Sequence, residues 1–254
     1  MILLTLVIPV YRNESNLPDL LAAVTALDVQ LEHALEVVFV VDGSPDRCYE
    51  ILREQLPSQS FTSKLILLSR NFGSFMAIRT GLQHGTGERY AVMAADLQEP
   101  PELVLEMNRV LTRGDIDVVV GVREGRQDPW ATRTASKLFW GFYRRYVIPE
   151  IPPGGVDMFA CNKAFRDTLL TLEERHSSLI AQIFWMGYRR EVVTYTPAGA
   201  RPWHLSLDIA QENQLPDGQR VLIYGHAHQD TDSSRCNWLS AGRCFWRLHA
   251  HCKT

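Results

Sequence analysis

The amino-acid sequence has few of the features that mark membrane-spanning, disulfide-stapled or nucleic-acid-binding proteins. No stretch of its 254 residues reaches the ~20 consecutive apolar residues that cross a bilayer, and the first residues, "MILLTLVIPVYRNES", lack the basic flank of a signal peptide. The five cysteines include no CxxC pair, which favours a reducing compartment over a disulfide framework. A formal net charge of −3 gives no general attraction to nucleic acid. We therefore expect a soluble or membrane-peripheral protein with no nucleic-acid partner.

The sequence does contain a regular alternation of short apolar runs and segments with helical spacing. The apolar runs predict strands at Ile2–Val10, Glu36–Val41, Lys64–Leu68, Tyr90–Ala95 and Asp117–Gly121. The segments between them predict helices at Asn16–Leu31, Tyr49–Leu56, Phe75–Gly85 and Pro101–Thr112. Almost continuously apolar strands are typical of sheets buried on both faces. The predicted fold class is therefore α/β, with a mostly parallel sheet and helices on both faces.

Polar loops follow each of the five predicted strands. They read "PVYRNE", "VDGSPD", "SRNFG", "ADLQEPP" and "GVR". In parallel α/β sheets, ligands bind beyond the carboxyl ends of the strands. We therefore expect these loops to meet at one edge of the sheet and to carry the functional residues.

The chain divides into residues 1–200, which carry this pattern, and a tail at residues 201–254 with little periodicity. After the fifth strand, the pattern predicts a basic, aromatic helix, a break at "IPPGGVD", a helix in "NKAFRDTLLTLEER", and a last helix and strand in "SSLIAQIFWMGYRREVVTYTP". The tail holds five of the eight histidines and three of the five cysteines. These residue types suit zinc, but no zinc-binding spacing accompanies them.

Seven stretches in order carry a resemblance to a known family: "VIPVYRNESNLPDL", "VVFVVDGSPD", "LSRNFGSFMAIRTGL", "AADLQEPPEL", "DVVVGVR", "SKLF" and "IPPGGVDMFACNKAF". Over roughly residues 1–200, the chain resembles the family 2 glycosyltransferases with a GT-A (Rossmann-like) fold. Within that family it is most similar to the polyprenyl-phosphate glycosyltransferases. The resemblance implies metal-dependent, inverting transfer of a sugar from a UDP-glucose- or GDP-mannose-type donor to a polyprenyl phosphate. It also implies that the enzyme acts at the cytoplasmic face of a membrane. The resemblance does not decide whether the protein forms a homo-oligomer.

The resemblance assigns nucleotide-sugar binding to the first loops. Pro9 and Tyr11 would line the pocket for the base, and Arg70 would lie beside the nucleotide sugar. Glu14 and Asp42 supply carboxylates suited to ribose hydroxyls or base N–H groups. For Glu14 an alternative stays open, because an acid in the first turn of a helix is stabilised by the helix dipole.

The loop after the fourth strand is the expected metal site. Asp96 would bind Mg²⁺ or Mn²⁺ and act in catalysis, with the Gln98 carbonyl oxygen as a second ligand. Relatives carry a further acid at the position of Ala94. One carboxylate with diphosphate oxygens and waters still makes a workable Mg²⁺ site, because such sites are rarely all-protein cages. The alternative is that Asp96 only caps the turn before Pro100.

Phosphate and acceptor groups are expected from later segments. Arg123 and Arg133 would contact phosphates, although Arg133 also fits a solvated helix face. Asp157 would be catalytic beside the acceptor, orienting it more than deprotonating it, because a phosphate monoester is largely ionised at pH 7. Phe159 stands where relatives often have an arginine, which predicts weaker acceptor binding.

The tail supports a second hypothesis. A coding sequence for residues 201–230 can be chosen so that a one-nucleotide shift encodes a Ser-x-Trp loop and a basic amphipathic helix like those of the relatives. A frameshift would then have replaced a juxtamembrane and membrane segment. On this hypothesis the intact parent contacts the membrane surface, and this chain is impaired. The stretch Leu138–Ile148 fits either a bilayer interface or core packing.

Two other functions remain open at this point. A family 2 transferase acting on a saccharide hydroxyl would need Asp157 as a general base near neutral pH. A non-catalytic nucleotide-sugar-binding remnant would agree with Ala94, Phe159 and the tail.

Overall fold

The computed structural model describes residues 2–123, 152, 155–172 and 178–196, together with the backbone of 221–226. The predictions for Arg133, for Leu138–Ile148 and for a zinc site in the tail concern residues outside these ranges.

Strands and helices alternate through the first half of the chain, as the hydrophobic pattern predicts. The strands are β1 (Leu4–Val10), β2 (Leu35–Val41), β3 (Thr62–Leu68), β4 (Arg89–Val92), β5 (Val118–Arg123), β6 (Met158–Asn162), β7 (Arg190–Tyr195) and β8 (Val221–His226). The helices are α1 (Leu17–Gln30), α2 (Cys48–Gln55), α3 (Ser74–His84), α4 (Glu102–Thr112), α5 (Lys163–Thr171) and α6 (Leu179–Trp185). Short 3₁₀ turns cover Glu14–Asn16 and Leu56–Ser58.

The described strands form one sheet of eight, in the order β8-β3-β2-β1-β4-β6-β5-β7. β1 pairs in parallel with β2 and β4, β2 with β3, and β5 with β7. β6 runs antiparallel between β4 and β5, and β8 runs antiparallel beside β3. The prediction of a mostly parallel α/β sheet is therefore confirmed.

Helices cover both faces of the sheet. The core on one face includes side chains of α1, α2 and α4, and the core on the other includes side chains of α3, α5 and α6. Successive side chains of a strand point to opposite faces, so Phe39 belongs to the first core and Val38 to the second. Every residue of β2 is buried, and full burial of one such apolar side chain contributes about 1.5–3 kcal/mol.

One close contact fixes the position of α3. A Cβ atom at Gly81 would lie 2.2 Å from Cγ1 of Val7, so the helix packs directly on the central strand β1. The loop "RNFG" runs from β3 into this helix.

The structure differs from the sequence predictions at two strands and one strand end. β6 occupies "MFACN", where the pattern predicts only the approach to a helix. β8 lies within the tail, for which little periodicity is predicted. The fourth strand ends at Val92 rather than Ala95. The loop that carries Asp96 therefore begins earlier and has more freedom to fold back.

Candidate active site

Asp42 joins the loops that follow β2 and β3. Its carboxylate is almost fully buried, and its two oxygens accept hydrogen bonds of 2.8 Å from the backbone N–H groups of Phe72 and Gly73. Burial raises the pKa of Asp42, and these two N–H donors oppose that rise. The residue therefore anchors the "RNFG" loop, whatever further contact it makes with a ligand.

The turn at Gly43 brings the same two loops into backbone contact. Gly43 has a φ of +57°, and a Cβ atom there would lie 2.2 Å from the carbonyl carbon of Arg70. Only glycine combines this conformation with such a close approach. Arg70 itself is exposed, and its guanidinium lies 4.2 Å from the centre of the Phe72 ring. Its charged group is thus held at the surface of the loop.

Asp46, which was not among the predicted residues, ties the loop after β1 to the loop after β2. It accepts hydrogen bonds from Ser44 Oγ at 2.6 Å, from the backbone N–H of Glu14 at 3.2 Å and from Cys48 Sγ at 3.2 Å. Ser44 Oγ in turn accepts a bond of 2.8 Å from the backbone N–H of Arg12. Burial raises the pKa of Asp46, but these donors outweigh it and hold the pKa below its ordinary value.

The residues predicted to grip the base lie on these joined loops. Pro9 is half-buried near the end of β1, and Tyr11 is exposed just beyond it, with the Arg12 guanidinium 5.2 Å from its ring centre. Glu14 Oε2 accepts a hydrogen bond of 2.9 Å from the backbone N–H of Arg47, immediately before α2. Glu14 therefore has a structural partner, in addition to any ligand that it contacts.

Asp96 and Gln98 pair with each other at the end of β4. Asp96 Oδ2 accepts a hydrogen bond of 2.9 Å from Gln98 Nε2, and Oδ1 accepts one of 3.3 Å from the Gln98 backbone N–H. Leu97 between them has a φ of +54°, a sparsely populated conformation for a non-glycine residue. Burial raises the pKa of Asp96. The hydrogen bonds from Gln98 and the charge of Arg123 oppose this rise.

The donor set of this loop suits a hard divalent cation. The 2.9 Å between Asp96 Oδ2 and the Gln98 amide nitrogen is close to the ~3 Å between adjacent oxygens around an octahedral Mg²⁺ with bonds of about 2.1 Å. Half a turn of the amide would place its oxygen there. Within the described ranges, no group of three or more His, Cys, Asp or Glu side chains could hold a metal. Substrate oxygens would therefore have to complete the shell.

Arg123, Asp157 and Tyr195 form the other side of this region. Tyr195 donates a hydrogen bond of 2.8 Å to Asp157 Oδ2, and its hydroxyl also accepts a hydrogen bond from the Arg123 side chain. The backbone N–H of Asp157 donates to the carbonyl oxygen of Gly121 at 3.1 Å. Burial lowers the pKa of Arg123, but Tyr195 and the nearby carboxylates raise it above its ordinary value.

Glu99 is a second residue that the predictions missed. Its side chain is buried, and Oε2 has no hydrogen-bond partner. Burial, then the charges of Asp96 and Asp157, raise the pKa of Glu99 to about 7. The only signal in the sequence was an acid beside Gln98 in "LQEPP".

The predicted residues that the structure describes, with Asp46, Glu99 and Tyr195 added, thus form two neighbouring groups along one sheet edge. The β1–β3 loop cluster comprises Pro9, Tyr11, Glu14, Asp42, Asp46 and Arg70, and the β4–β7 loop cluster comprises Asp96, Gln98, Glu99, Arg123, Asp157 and Tyr195. Both stand beyond the carboxyl ends of parallel strands, where ligands bind in such sheets.

The cysteines of the described core are not nucleophiles. Cys48 and Cys161 are free and buried. Burial, then the Asp46 carboxylate, raise the pKa of Cys48 to about 12, and burial likewise raises the pKa of Cys161. Both therefore act as packing residues. In the same part of the chain, no helix has the length and apolar character required to span a bilayer.

Comparison with known proteins places the chain in a family. Residues 5–193 match the family model described as Glycosyl transferase family 2. An undecaprenyl-phosphate 4-deoxy-4-formamido-L-arabinose transferase from Aeromonas hydrophila is 35% identical over 173 residues, which cover 68% of this chain and 53% of that relative. The chain therefore spans about half the length of this relative.

Solved structures with the same fold bind nucleotide sugars. The Pyrobaculum calidifontis mannosyltransferase PcManGT, in complex with GDP-Man and Mn²⁺, superposes with a TM-score of 0.56 at 20% identity and covers 76% of this chain and 56% of its own. S. aureus TarS 1-349, in complex with UDP-GlcNAc, gives 0.52 at 19% identity and covers 78% and 60%. These likenesses support the GT-A fold. Because the family model spans most of the sequence, the chain belongs to glycosyltransferase family 2.

Proposed function

We propose that this chain transfers a sugar from a nucleoside-diphosphate sugar to a polyprenyl phosphate at the cytoplasmic face of a membrane. The observation that carries the proposal is the β4–β7 loop cluster, in which Asp96, Arg123 and Asp157 interact electrostatically at the sheet edge. An acidic metal ligand, a phosphate-binding cation and an acceptor-side carboxylate are the groups that this transfer requires. The A. hydrophila relative, by its name, acts on undecaprenyl phosphate.

The β1–β3 loop cluster would hold the nucleoside. Pro9 and Tyr11 offer an apolar wall for the base, while Glu14 and Asp42 offer carboxylate oxygens. Both carboxylates already accept hydrogen bonds from backbone N–H groups, so they are held in place, and their remaining lone pairs can accept from ribose hydroxyls or base N–H groups. Arg70 would lie beside the nucleotide sugar.

Asp96 and Gln98 would hold the Mg²⁺ or Mn²⁺ ion. When bound, the ion would neutralise the diphosphate and so stabilise it as a leaving group. Arg123 adds a second positive charge on the same side, and its buried Nε has no hydrogen-bond partner. An Nε–H donor that is buried and unpaired is suited to a phosphate oxygen. We also expect Arg133 to contact phosphate.

Asp157 would orient the acceptor. The Tyr195 hydroxyl and the Asp157 backbone N–H bond to Gly121 fix the position of its carboxylate. The acceptor phosphate attacks the anomeric carbon in line. The new bond joins a phosphate oxygen to that carbon, and the bond from the carbon to the diphosphate oxygen breaks. Because the phosphate is already largely ionised, the step needs no strong base.

A direct experiment can separate this proposal from its alternatives. The purified chain is heated in the presence of a nucleotide-sugar panel, with and without Mg²⁺. A binding donor raises the unfolding temperature by mass action. The donor so identified is then offered with undecaprenyl phosphate or with soluble saccharides. Transfer to the lipid supports the proposal, transfer only to a saccharide supports the hydroxyl-acceptor alternative, and donor binding without transfer supports a non-catalytic remnant.

A further inference from the structure

Glu99 has an environment that its own fold does not explain. The side chain is 6% exposed, and Oε2 has no hydrogen-bond partner. The carboxyl group does receive a hydrogen bond from its own backbone N–H. By contrast, the buried carboxylate of Glu36 accepts bonds from Thr5 and Thr86 and pairs with Lys64 at 2.7 Å. A buried polar atom without a partner points to a ligand or ion that completes its bonding.

Glu99 lies in the loop that carries the proposed metal ligands. Leu97, between Asp96 and Glu99, has a φ of +54°. Burial, and then the negative charges of Asp96 and Asp157, raise the pKa of Glu99. Its own backbone N–H and the charge of Arg123 lower that pKa. Glu99 is thus a buried acid three residues after the partly buried Asp96, while Asp157 is exposed to solvent.

An ionised carboxylate at the buried Glu99, beside the charge of Asp96, is unfavourable unless a proton or a bound cation neutralises it. Buried charges in proteins are paired or bind metal ions. Asp157 is exposed to solvent and accepts a hydrogen bond from the Tyr195 hydroxyl, so its charge needs no bound cation. Arg123 acts on Glu99 through its charge, but within the described part of the chain neither Arg123 Nε nor Glu99 Oε2 has a hydrogen-bond partner. Asp96 and Glu99 lie three residues apart in the same loop, so their carboxylates are the pair that one divalent cation would take.

We propose that Glu99 is the second carboxylate ligand of the Mg²⁺ or Mn²⁺ site and supplies the charge that Ala94 cannot. The inference rests on the proposed function and identifies a residue of that same site. Two carboxylates, the Gln98 amide oxygen, water and diphosphate oxygens form a donor set of the kind that these hard ions take. In this proposal the second acid of the metal site has changed its position within one loop. Relatives carry it before Asp96, at the position of Ala94, and this chain carries it after Asp96, at Glu99.

The test measures Mn²⁺ binding directly, without turnover. Free Mn²⁺ is followed by electron paramagnetic resonance as the full chain is titrated, with and without UDP as the probe nucleotide. The variants are Glu99→Gln, Asp96→Asn and the control Glu102→Gln, which removes an exposed acid three residues further along. Circular dichroism and thermal unfolding establish that each variant is folded.

Glu99→Gln is expected to weaken Mn²⁺ binding at least tenfold, because changes even in the second coordination shell cost about 10–100-fold. Glu102→Gln should leave binding within about twofold of the parent chain. The double variant Ala94→Asp/Glu99→Gln should regain most of the lost affinity, because it restores a carboxylate at the position that relatives use. That rescue also shows that a chain carrying the Glu99→Gln substitution is folded.

The outcomes separate this inference from the wider proposal. If Glu99→Gln binds Mn²⁺ like the parent chain while Asp96→Asn does not, the role of Glu99 is overturned and the metal site at Asp96 stands. If the folded parent chain binds no Mn²⁺ with UDP present, the metal requirement in the proposed function fails, and the role of Glu99 fails with it.

Discussion

Tyr195 donates a hydrogen bond of 2.8 Å to Asp157 Oδ2, although the two residues lie 38 positions apart in the chain. The contact exists because β7 pairs in parallel with β5, which places Tyr195 opposite Arg123 at the strand ends. Asp157 precedes β6 on the other side of β5. The last residue of β7 thus links Asp157, the proposed acceptor-side carboxylate, to Arg123, the guanidinium proposed to bind phosphate.

Replacing Tyr195 with phenylalanine tests this link. Tyr195→Phe keeps the ring but removes the hydrogen bonds to Asp157 and Arg123. We expect kcat to fall about 10- to 100-fold, because a hydrogen bond to a charged group contributes roughly 1.5–3 kcal/mol and about 1.4 kcal/mol on a barrier is tenfold in rate. The KM for the donor should change little. Steady-state kinetics against both substrates measures the difference.

Tyr188→Phe is the matched control for that experiment. Tyr188 also makes a side-chain hydrogen bond, at 2.7 Å to Thr168 Oγ1, but away from the loop clusters. Its loss should lower stability without changing kcat. Equal kinetic losses in the two variants would show that Tyr195 acts only through general stability.

Asp42→Asn separates a structural from a ligand-binding role. Either orientation of the new amide turns its NH₂ group toward the backbone N–H of Phe72 or Gly73, so one hydrogen bond is replaced by a clash of donors. We expect the free energy of unfolding to fall by about 1–3 kcal/mol, measured by urea denaturation. The exposed Asp19→Asn should stay within about 0.5 kcal/mol of the parent. Unchanged stability with lost donor binding would instead assign Asp42 wholly to the nucleotide.

Acid stability should depend on Asp117. Hydrogen bonds from Arg189, then Asn162, hold the pKa of Asp117 below its ordinary value of 3.8, with burial opposing them. A depressed carboxyl pKa contributes stability above the unfolded pKa, and this contribution disappears as the pH falls through the folded pKa. Urea unfolding should therefore show falling stability below about pH 4. The slope should be smaller in Asp117→Asn, and an identical slope would exclude this residue as a cause.

Apolar runs made the parallel core of this fold predictable, because each of the first five strands is short, buried and followed by a polar loop. Antiparallel β6 was not, because "MFACN" has only five residues and lies between a proline-glycine break and a helix. Its pairing with β4 and β5 comes from tertiary contacts. β8 was missed for a similar reason, because it is a strand by virtue of its antiparallel pairing with the edge of β3.

Strand-end position and family resemblance were enough to select Asp96, Arg123 and Asp157, which the fold brings together. They were not enough for Tyr195, whose place depends on the register of β7 against β5. Glu99 was missed because the sequence gives no sign that its side chain is buried. The sequence around that position shows only an acid in a polar loop.

The frameshift hypothesis for residues 201–254 makes a prediction outside protein chemistry. Genomic DNA around codon 200 should contain an open frame, shifted by one nucleotide, that encodes a Ser-x-Trp loop followed by a basic amphipathic segment. A restored chain should associate with anionic vesicles more strongly than this one, because a basic amphipathic helix binds such surfaces. A closed frame, or one unlike the family, would end the hypothesis.

Metal-dependent sugar transfer to a polyprenyl phosphate can be measured in a single assay. The chain, the donor identified by thermal shift and undecaprenyl phosphate in detergent are incubated with Mg²⁺ or Mn²⁺, and the lipid product is quantified by mass spectrometry. We predict a glycosyl-phosphate lipid that is lost with a chelator and reduced at least about 100-fold in Asp96→Ala. Transfer that is unaffected by the chelator and by Asp96→Ala, or transfer to saccharide hydroxyls alone, would contradict the account.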